Sequence, residues 1–448
     1  MINIFFLIVY FFLPGLVNPP TYCIILIIHC SLCVLIHLNE KKNITPIFTF
    51  YIGVIITTLA NFILINKVNN HSASYPNYLL PKYISEGLQL WGVSSTLIMI
   101  GYQFNINKSL PSIAFEIKNK KNLNIIFWVI FVINILILLG FHINLKGGLT
   151  GKITGLLNTI GILFFAMLWT KENNKTYRLY ALSLVLIETY IALMFSYLRS
   201  DLILPTVYLF LGFFIGKGDI KYVFTYRIIP FIAIILLYAS VFKVLQSNRS
   251  SFITVFTEQN IDDKTNENSG ALLDRSANIA QLTNIIDLVK RNGFYNGRAS
   301  SPLILALIPR VLWPDKPNIA IGQWFALEIG VAYKSDKGLI NNSINMTLPG
   351  ELYLDFGWIG LAVGSLFVGF FISALWQATK FYSYDYNIAG TLFGGYLFIL
   401  GIGGFAGDLQ IILTLLSTYF LFLIIKKVFQ ANSQKSLKAS TRVPQRPK

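Results

Sequence analysis

About a dozen apolar runs recur along this chain, near residues 3–17, 21–38, 44–65, 87–106, 123–141, 153–170, 179–198, 202–216, 228–245, 357–376, 388–405 and 410–426. Crossing a bilayer takes roughly 17 to 25 apolar residues, and most of these runs come close to that length. In hydrocarbon every backbone N–H and C=O must be paired within the protein, so open sheet edges are excluded. The runs are also too long and too continuous for the strands of a membrane barrel. Composition agrees: 54% of the 448 residues are hydrophobic, 12% are charged and mean hydropathy is +0.61. A water-soluble chain carries roughly 25% charged residues. The expected fold class is an all-α polytopic membrane protein with about 12 transmembrane helices and one large outer loop containing short helices.

The net charge of +16 invites a nucleic-acid partner, but the basic residues lie in short connections and in the C-terminal tail, not along one soluble face. No nucleic acid is expected. With the N-terminus inside, segments 39–43, 107–122, 171–178, 217–227, 377–387 and the tail from Lys426 carry 20 Lys/Arg. The short outer connections carry five: Lys67, Lys82, Lys146, Lys152 and Arg199. That bias puts both termini in the cytoplasm. Residues 1–245 then form an N-terminal bundle of about nine helices, 246–356 a large outer loop, 357–426 about three C-terminal helices, and 427–448 a basic cytoplasmic tail. The N-terminal run lacks a basic leader and a small-x-small cleavage site, so it is expected as a first, rather short, membrane helix.

Loops beyond about 15 residues are usually functional or disordered, and 246–356 carries structural signals. Leu272, Ile279, Leu282, Ile286 and Val289 recur at helical spacing, which predicts an amphipathic helix over 271–291. Pro302–Trp313 is apolar but too short to span, which suits an interfacial or re-entrant segment, ended by Pro314 and Pro317. A second short amphipathic stretch follows at Gln323–Ala332, and 258–270 is polar. The Gly360/Gly364 and Gly390/Gly394 pairs read as helix-packing faces. Cys23, Cys30 and Cys33 fall in one apolar run and read as packing residues, with no metal site expected. No internal or inverted repeat is visible, which weighs against a secondary transporter.

Charge that can do chemistry gathers on the expected outer side. Arg199 and Asp201 stand in a short turn between two apolar runs, where packed helices would fix them; a rigid cation there suits an anion, and a snorkelling Arg beside an acid is the plainer alternative. The run PRVLWPDKP (309–317) holds Arg310 and Lys316 between prolines that restrict the backbone; lipid-facing anchoring is its plainer role. Glu351 and Asp355 are four residues apart at the opening of a membrane helix, on one helical face. They either complement the helix dipole or, by mutual repulsion, leave one carboxylate more basic. The sequence holds no nucleotide-binding P-loop, no zinc-protease motif, no nucleophile elbow and no outer D-x-D.

Together the LRSD turn (198–201), the IPRVLWPDKP run and the GELYLDFGWIGLAVG helix start, set in a dozen helices with one late outer loop, resemble the oligosaccharide repeat-unit polymerases, the Wzy-type O-antigen and capsule polymerases. The resemblance covers the architecture, and its sharper motifs cover only 199–202 and 298–364. It implies metal-independent, cofactor-free transfer of a growing glycan from its undecaprenyl-diphosphate carrier to an incoming lipid-linked unit, on the outer face of a bacterial plasma membrane. Arg199, Arg298, Arg310 and Lys316 would hold the diphosphate; Glu351, Asp355 or Asp201 would serve as base. A flippase and a chain-length regulator would be working partners. The related O-antigen ligases typically use a His in the outer loop, whereas His29, His37, His71 and His142 all lie outside 246–356. A polysaccharide flippase or other transporter, the remaining alternative, would carry short loops throughout.

Overall fold

The computed structural model describes residues 2–13, 16–40, 43–69, 79–104, 110–114, 120–138, 149–195, 199–217, 277–301, 321–334, 340, 343–382, 387–402, 412 and 415–427. Their regular elements are all helical, and Lys334 and Ile340 form an isolated bridge. In chain order the helices are α1 (Ile2–Phe12), α2 (Pro19–Glu40), α3 (Pro46–Asn69), α4 (Ile84–Gln103), α5 (Lys120–Leu138), α6 (Leu149–Glu172), α7 (Lys175–Phe195) and α8 (Arg199–Lys217). They continue with α9 (Ile279–Asn292), α10 (Ile321–Glu328), α11 (Leu348–Thr379) and α12 (Ile388–Ile402), and residues 415–427 are also helical.

Helices therefore stand where the apolar runs place them. The run at 228–245 lies outside the described residues, as do Pro302–Trp313 and the tail from 428. Among the described residues, three helices are long and apolar enough to cross a membrane: Pro19–Asn39, Pro46–Asn69 and Leu348–Thr379. Ile2–Phe12, Leu123–Val132, Leu204–Lys217 and Ala389–Gly401 are apolar but shorter. The bundle presents apolar side chains outward, among them Phe12, Ile28, Leu186 and Ile359. Polar groups turn inward: the Ser94 and Ser365 hydroxyls meet at 2.8 Å, and the Trp91 indole donates to Thr58 Oγ1 at 3.1 Å. Such a surface suits hydrocarbon, not water.

Helix α4 is the central element, touching α1, α2, α3, α9 and α11. It runs parallel to α11. Gln89 donates to the Phe11 carbonyl while Phe11 meets Trp358, Ser94 meets Ser365, and the Ile98 carbonyl faces Gly369. Close approach depends on missing side chains, since a Cβ at Gly101 would strike the Leu366 backbone and one at Gly369 the Ile98 carbonyl.

Two sequence expectations need revision. The amphipathic helix begins at Ile279, because Ala277 and Asn278 are not helical and 271–276 lie outside the described residues. Also, α11 is two helices joined at Gly357, whose φ of 61° and ψ of −149° are not helical. Gly360 and Gly364 serve that joint. They receive Phe356 and Leu352 of the preceding segment, so their small size accommodates the chain's own fold-back. Gly390 and Gly394 instead sit against Thr379, Trp376 and Phe381 at the end of α11.

Candidate functional site

Three elements meet at the end of the bundle where α4 and α11 begin. The first is α9, fixed at its start by a residue from α3. Asn61 Oδ1 accepts from the backbone N–H groups of Asn278 (3.0 Å) and Ile279 (3.1 Å), and Asn61 Nδ2 donates to Asn278 Oδ1 (2.8 Å). These first-turn donors have no intrahelical partner, so a buried amide from another helix decides where α9 starts. One face of α9 lies on α4, with Ile279 and Leu282 over Gly87. Its other face, through Ile285 and Leu288, joins Phe325, Ala326, Met346 and Leu354 in a small apolar core separate from that of the bundle.

The second element is the loop leaving α9. Gly293, at φ 75°, closes the helix by donating to the Val289 carbonyl at 2.8 Å. Asn296 and Gly297 take left-handed φ values of 53° and 84°, which reverse the chain over Tyr295–Ser301. The loop docks on the last turn before the kink: Tyr295 N donates to the Leu354 carbonyl (3.0 Å) and Asn296 N to the Asp355 carbonyl (2.9 Å).

The third element is the short segment 348–356. Thr347, at φ 67°, caps it by accepting from Gly350 N at 3.3 Å, and Pro349 sits in its first turn. Gly350 lies hard against Ile285 of α9. Glu351 and Asp355 follow at 1% and 0% exposure, so both carboxylates are turned inward. Asp355 is enclosed by the loop. Its Oδ1 accepts from Gly297 N (3.0 Å) and Ala299 N (3.1 Å); its Oδ2 accepts from Ser300 N (2.9 Å) and from the Ser300 hydroxyl. Arg298 stands exposed within that stretch. Its backbone is held as well, since Arg298 N donates to the Tyr295 carbonyl at 3.1 Å.

Beside this junction runs an exposed ionic group. Lys82 pairs with Asp287 (3.3 Å), Arg291 with Asp287 (2.9 Å) and Lys290 with Glu86 (2.6 Å). Lys82 and Lys290 both lie over the Tyr83 ring, at 4.5 and 4.3 Å. Tyr83 first, then Asp287, raises the Lys82 pKa above its ordinary value. Ion pairs at a solvent-facing edge contribute little, so they tune the docking of α9 and do not create it. Aromatic rings flank the loop, with Phe294 on Tyr353 (5.9 Å), Tyr353 on Trp358 (5.6 Å) and Tyr295 on Trp324 (5.5 Å).

Of the residues singled out in the sequence, the structure brings together Arg298 and Asp355, with Glu351 one turn earlier on the same short helix. Arg199 and Asp201 occupy the first turn of α8, which begins at Arg199 and not after Asp201; their side chains lie outside the described residues, as do Arg310 and Lys316 altogether. Among the described residues no group of three or more His, Cys, Asp or Glu side chains is gathered to hold a metal ion. Asn61, Gly357 and Ser300 were not visible as site residues in the sequence. The two Asn-Gly pairs at 292–293 and 296–297 do signal turns, but nothing local names their partner. Compared with known proteins, the chain matches no family model, no curated protein and no solved structure.

Proposed function

We propose that the chain is a membrane glycosyltransferase that polymerises lipid-linked oligosaccharide repeat units on the outer face of a bacterial plasma membrane. In this reading about twelve helices span the bilayer, both termini are cytoplasmic and 246–356 is external. The observation that carries it is a fixed cation at a membrane-helix entrance: Arg298, exposed in a pinned loop, beside the kink of the candidate span Leu348–Thr379, with two buried carboxylates behind it. Transfer of a glycan from a polyprenyl diphosphate needs that combination. The acceptor hydroxyl attacks the anomeric carbon, the bond from that carbon to the diphosphate oxygen breaks, and a carboxylate takes the hydroxyl proton. The departing diphosphate is stabilised by preorganised cations, Arg298 together with Arg199, Arg310 and Lys316. Glu351 and Asp201 are the carboxylates from which the base is drawn.

Cells lacking the chain should accumulate single repeat units on the carrier lipid and lose the ladder of longer products on a gel. Re-expression of the wild type should restore the ladder, and R298A at equal protein level should restore it poorly. An unchanged ladder in the deletion strain overturns the reading. Reporter fusions after residues 112 and 174 should read cytoplasmic and one near 265 external; the opposite pattern removes the outer-face chemistry.

A further inference from the structure

We propose that Asp355 is a positioning residue for Arg298 and not a proton acceptor; the proposal rests on the diphosphate-binding reading of Arg298. An ionised carboxylate has about four lone-pair sites. At Asp355 all four face donors, from Gly297 N, Ala299 N, Ser300 N and the Ser300 hydroxyl. No site is left to receive a sugar hydroxyl, and the side chain is fully buried. Convergent backbone N–H groups around left-handed residues are an anion-binding arrangement. Here the chain fills it with its own carboxylate, and the loop's remaining means of holding an external anion is the exposed guanidinium of Arg298.

The lock reaches both neighbours of Arg298. Gly297 and Ala299 each give their N–H to Asp355 Oδ1, and the Asp355 carbonyl holds Asn296. Because Asp355 lies two residues before the Gly357 kink, the lock also ties Arg298 to the helix that follows. The Phe294 ring closes over Gly357, and a Cβ added at Gly297 would come within 3.3 Å of the Phe356 ring. Arg298 thus keeps a fixed place relative to the membrane helix. Prepaid ordering of this kind strengthens binding of an anion without adding a contact.

The test uses the full chain in detergent with lipid-linked repeat units as substrate. Asp355→Asn places an NH2 group where two donors now point, so KM for the lipid-linked donor should rise about tenfold while kcat stays within about twofold. Ser300→Ala removes one of the four donors and should move KM the same way by less. The double variant R298A/D355N should be no worse than R298A, because the lock acts only through the arginine. Trypsin supplies a readout free of activity: cleavage after Arg298, followed by mass spectrometry, should be slow in wild type and faster in D355N and S300A. A collapse of kcat in D355N with unchanged KM and unchanged cleavage makes Asp355 the base and overturns the proposal. If D355N is trypsin-resistant while R298A raises KM, the lock fails and the diphosphate reading survives. If R298A leaves KM unchanged while D355N is cleaved faster, the lock is real but the role of Arg298 is wrong. Should D355N not fold, S300A decides by the same two measurements.

Discussion

Before Gly357, α11 buries Glu351 and Asp355 at 1% and 0% exposure; after it, the same helix turns Ile359, Val363 and Phe367 outward at 78%, 63% and 52%. The first half is short, polar on its buried face and tied by hydrogen bonds to a loop more than fifty positions away in sequence (Gly297 to Asp355). The second half is apolar outside and joined to α4 by close backbone approach at Gly101 and Gly369. The contrast teaches that the joint separates two packing problems. The acceptor sites of a buried carboxylate need donors, and at Asp355 a loop with left-handed φ values supplies them. Where hydrocarbon is the solvent, large apolar side chains face out and small ones bring helices together.

Removing the joint should have the largest effect. Gly357 sits at φ 61°, ψ −149°, a region essentially closed to other residues, and a Cβ there would meet the Phe294 ring at 2.7 Å. Gly357→Ala should therefore destabilise by about 3 kcal/mol or more, from backbone strain plus the clash. Thermal unfolding in detergent would register this as a large fall in Tm. A variant as stable as wild type would show that the two halves are one ordinary helix.

Next in size is the support of the first half. Asn61→Leu strips two buried N–H groups at the start of α9 of their acceptor and Asn278 Oδ1 of its donor. An expected loss of about 2 kcal/mol follows from leaving such groups unpaired. Hydrogen exchange sharpens the comparison. Amides of 279–283 should exchange faster, while those of α4 and the second half of α11 stay protected; uniform loosening would mean the junction is not a separate unit.

What could be read from the sequence follows the same division. Apolar runs determine helices through local composition, so α2, α3, α4 and the second half of α11 stand where the runs predict. The i, i+4 spacing of Glu351 and Asp355 likewise puts both on one helical face, and the packing of α9 and its loop buries that face. The kink was hidden because a glycine inside an apolar helix pattern is tolerated, and its positive φ goes with the Phe294 ring packed over it from a distant loop. The start of α9 was hidden for a related reason: its N-cap acceptor comes from Asn61, 217 positions upstream of Asn278. Arg298 was picked out by its charge, its place in the long loop and the resemblance, not by any partner. That Asp355 pins its loop is a tertiary fact, signalled locally only by the Asn-Gly turns at 292–293 and 296–297.

The smallest effect tests the second half, and there two terms compete. Replacing a helical glycine by alanine ordinarily gains up to about 1 kcal/mol, since glycine has more backbone freedom to lose. At Gly369 the new methyl group would meet the Ile98 carbonyl and lie 2.8 Å from Tyr102 N, backbone atoms of α4 that cannot swing aside. Overpacking of this sort costs about 1–3 kcal/mol, so Gly369→Ala should lose about 1 kcal/mol net. Ile359→Ala strips most of a side chain about three turns earlier in the same helix, yet at 78% exposure it should change stability by no more than about 0.5 kcal/mol. Measured side by side in the same detergent, the pair distinguishes a helix held by backbone contact from one held by its large side chains. If Gly369→Ala stabilises the protein, or Ile359→Ala destabilises it by more than Gly369→Ala, the second half is not packed on α4 through its glycines. The contrast between the halves would then rest on burial of the carboxylates alone.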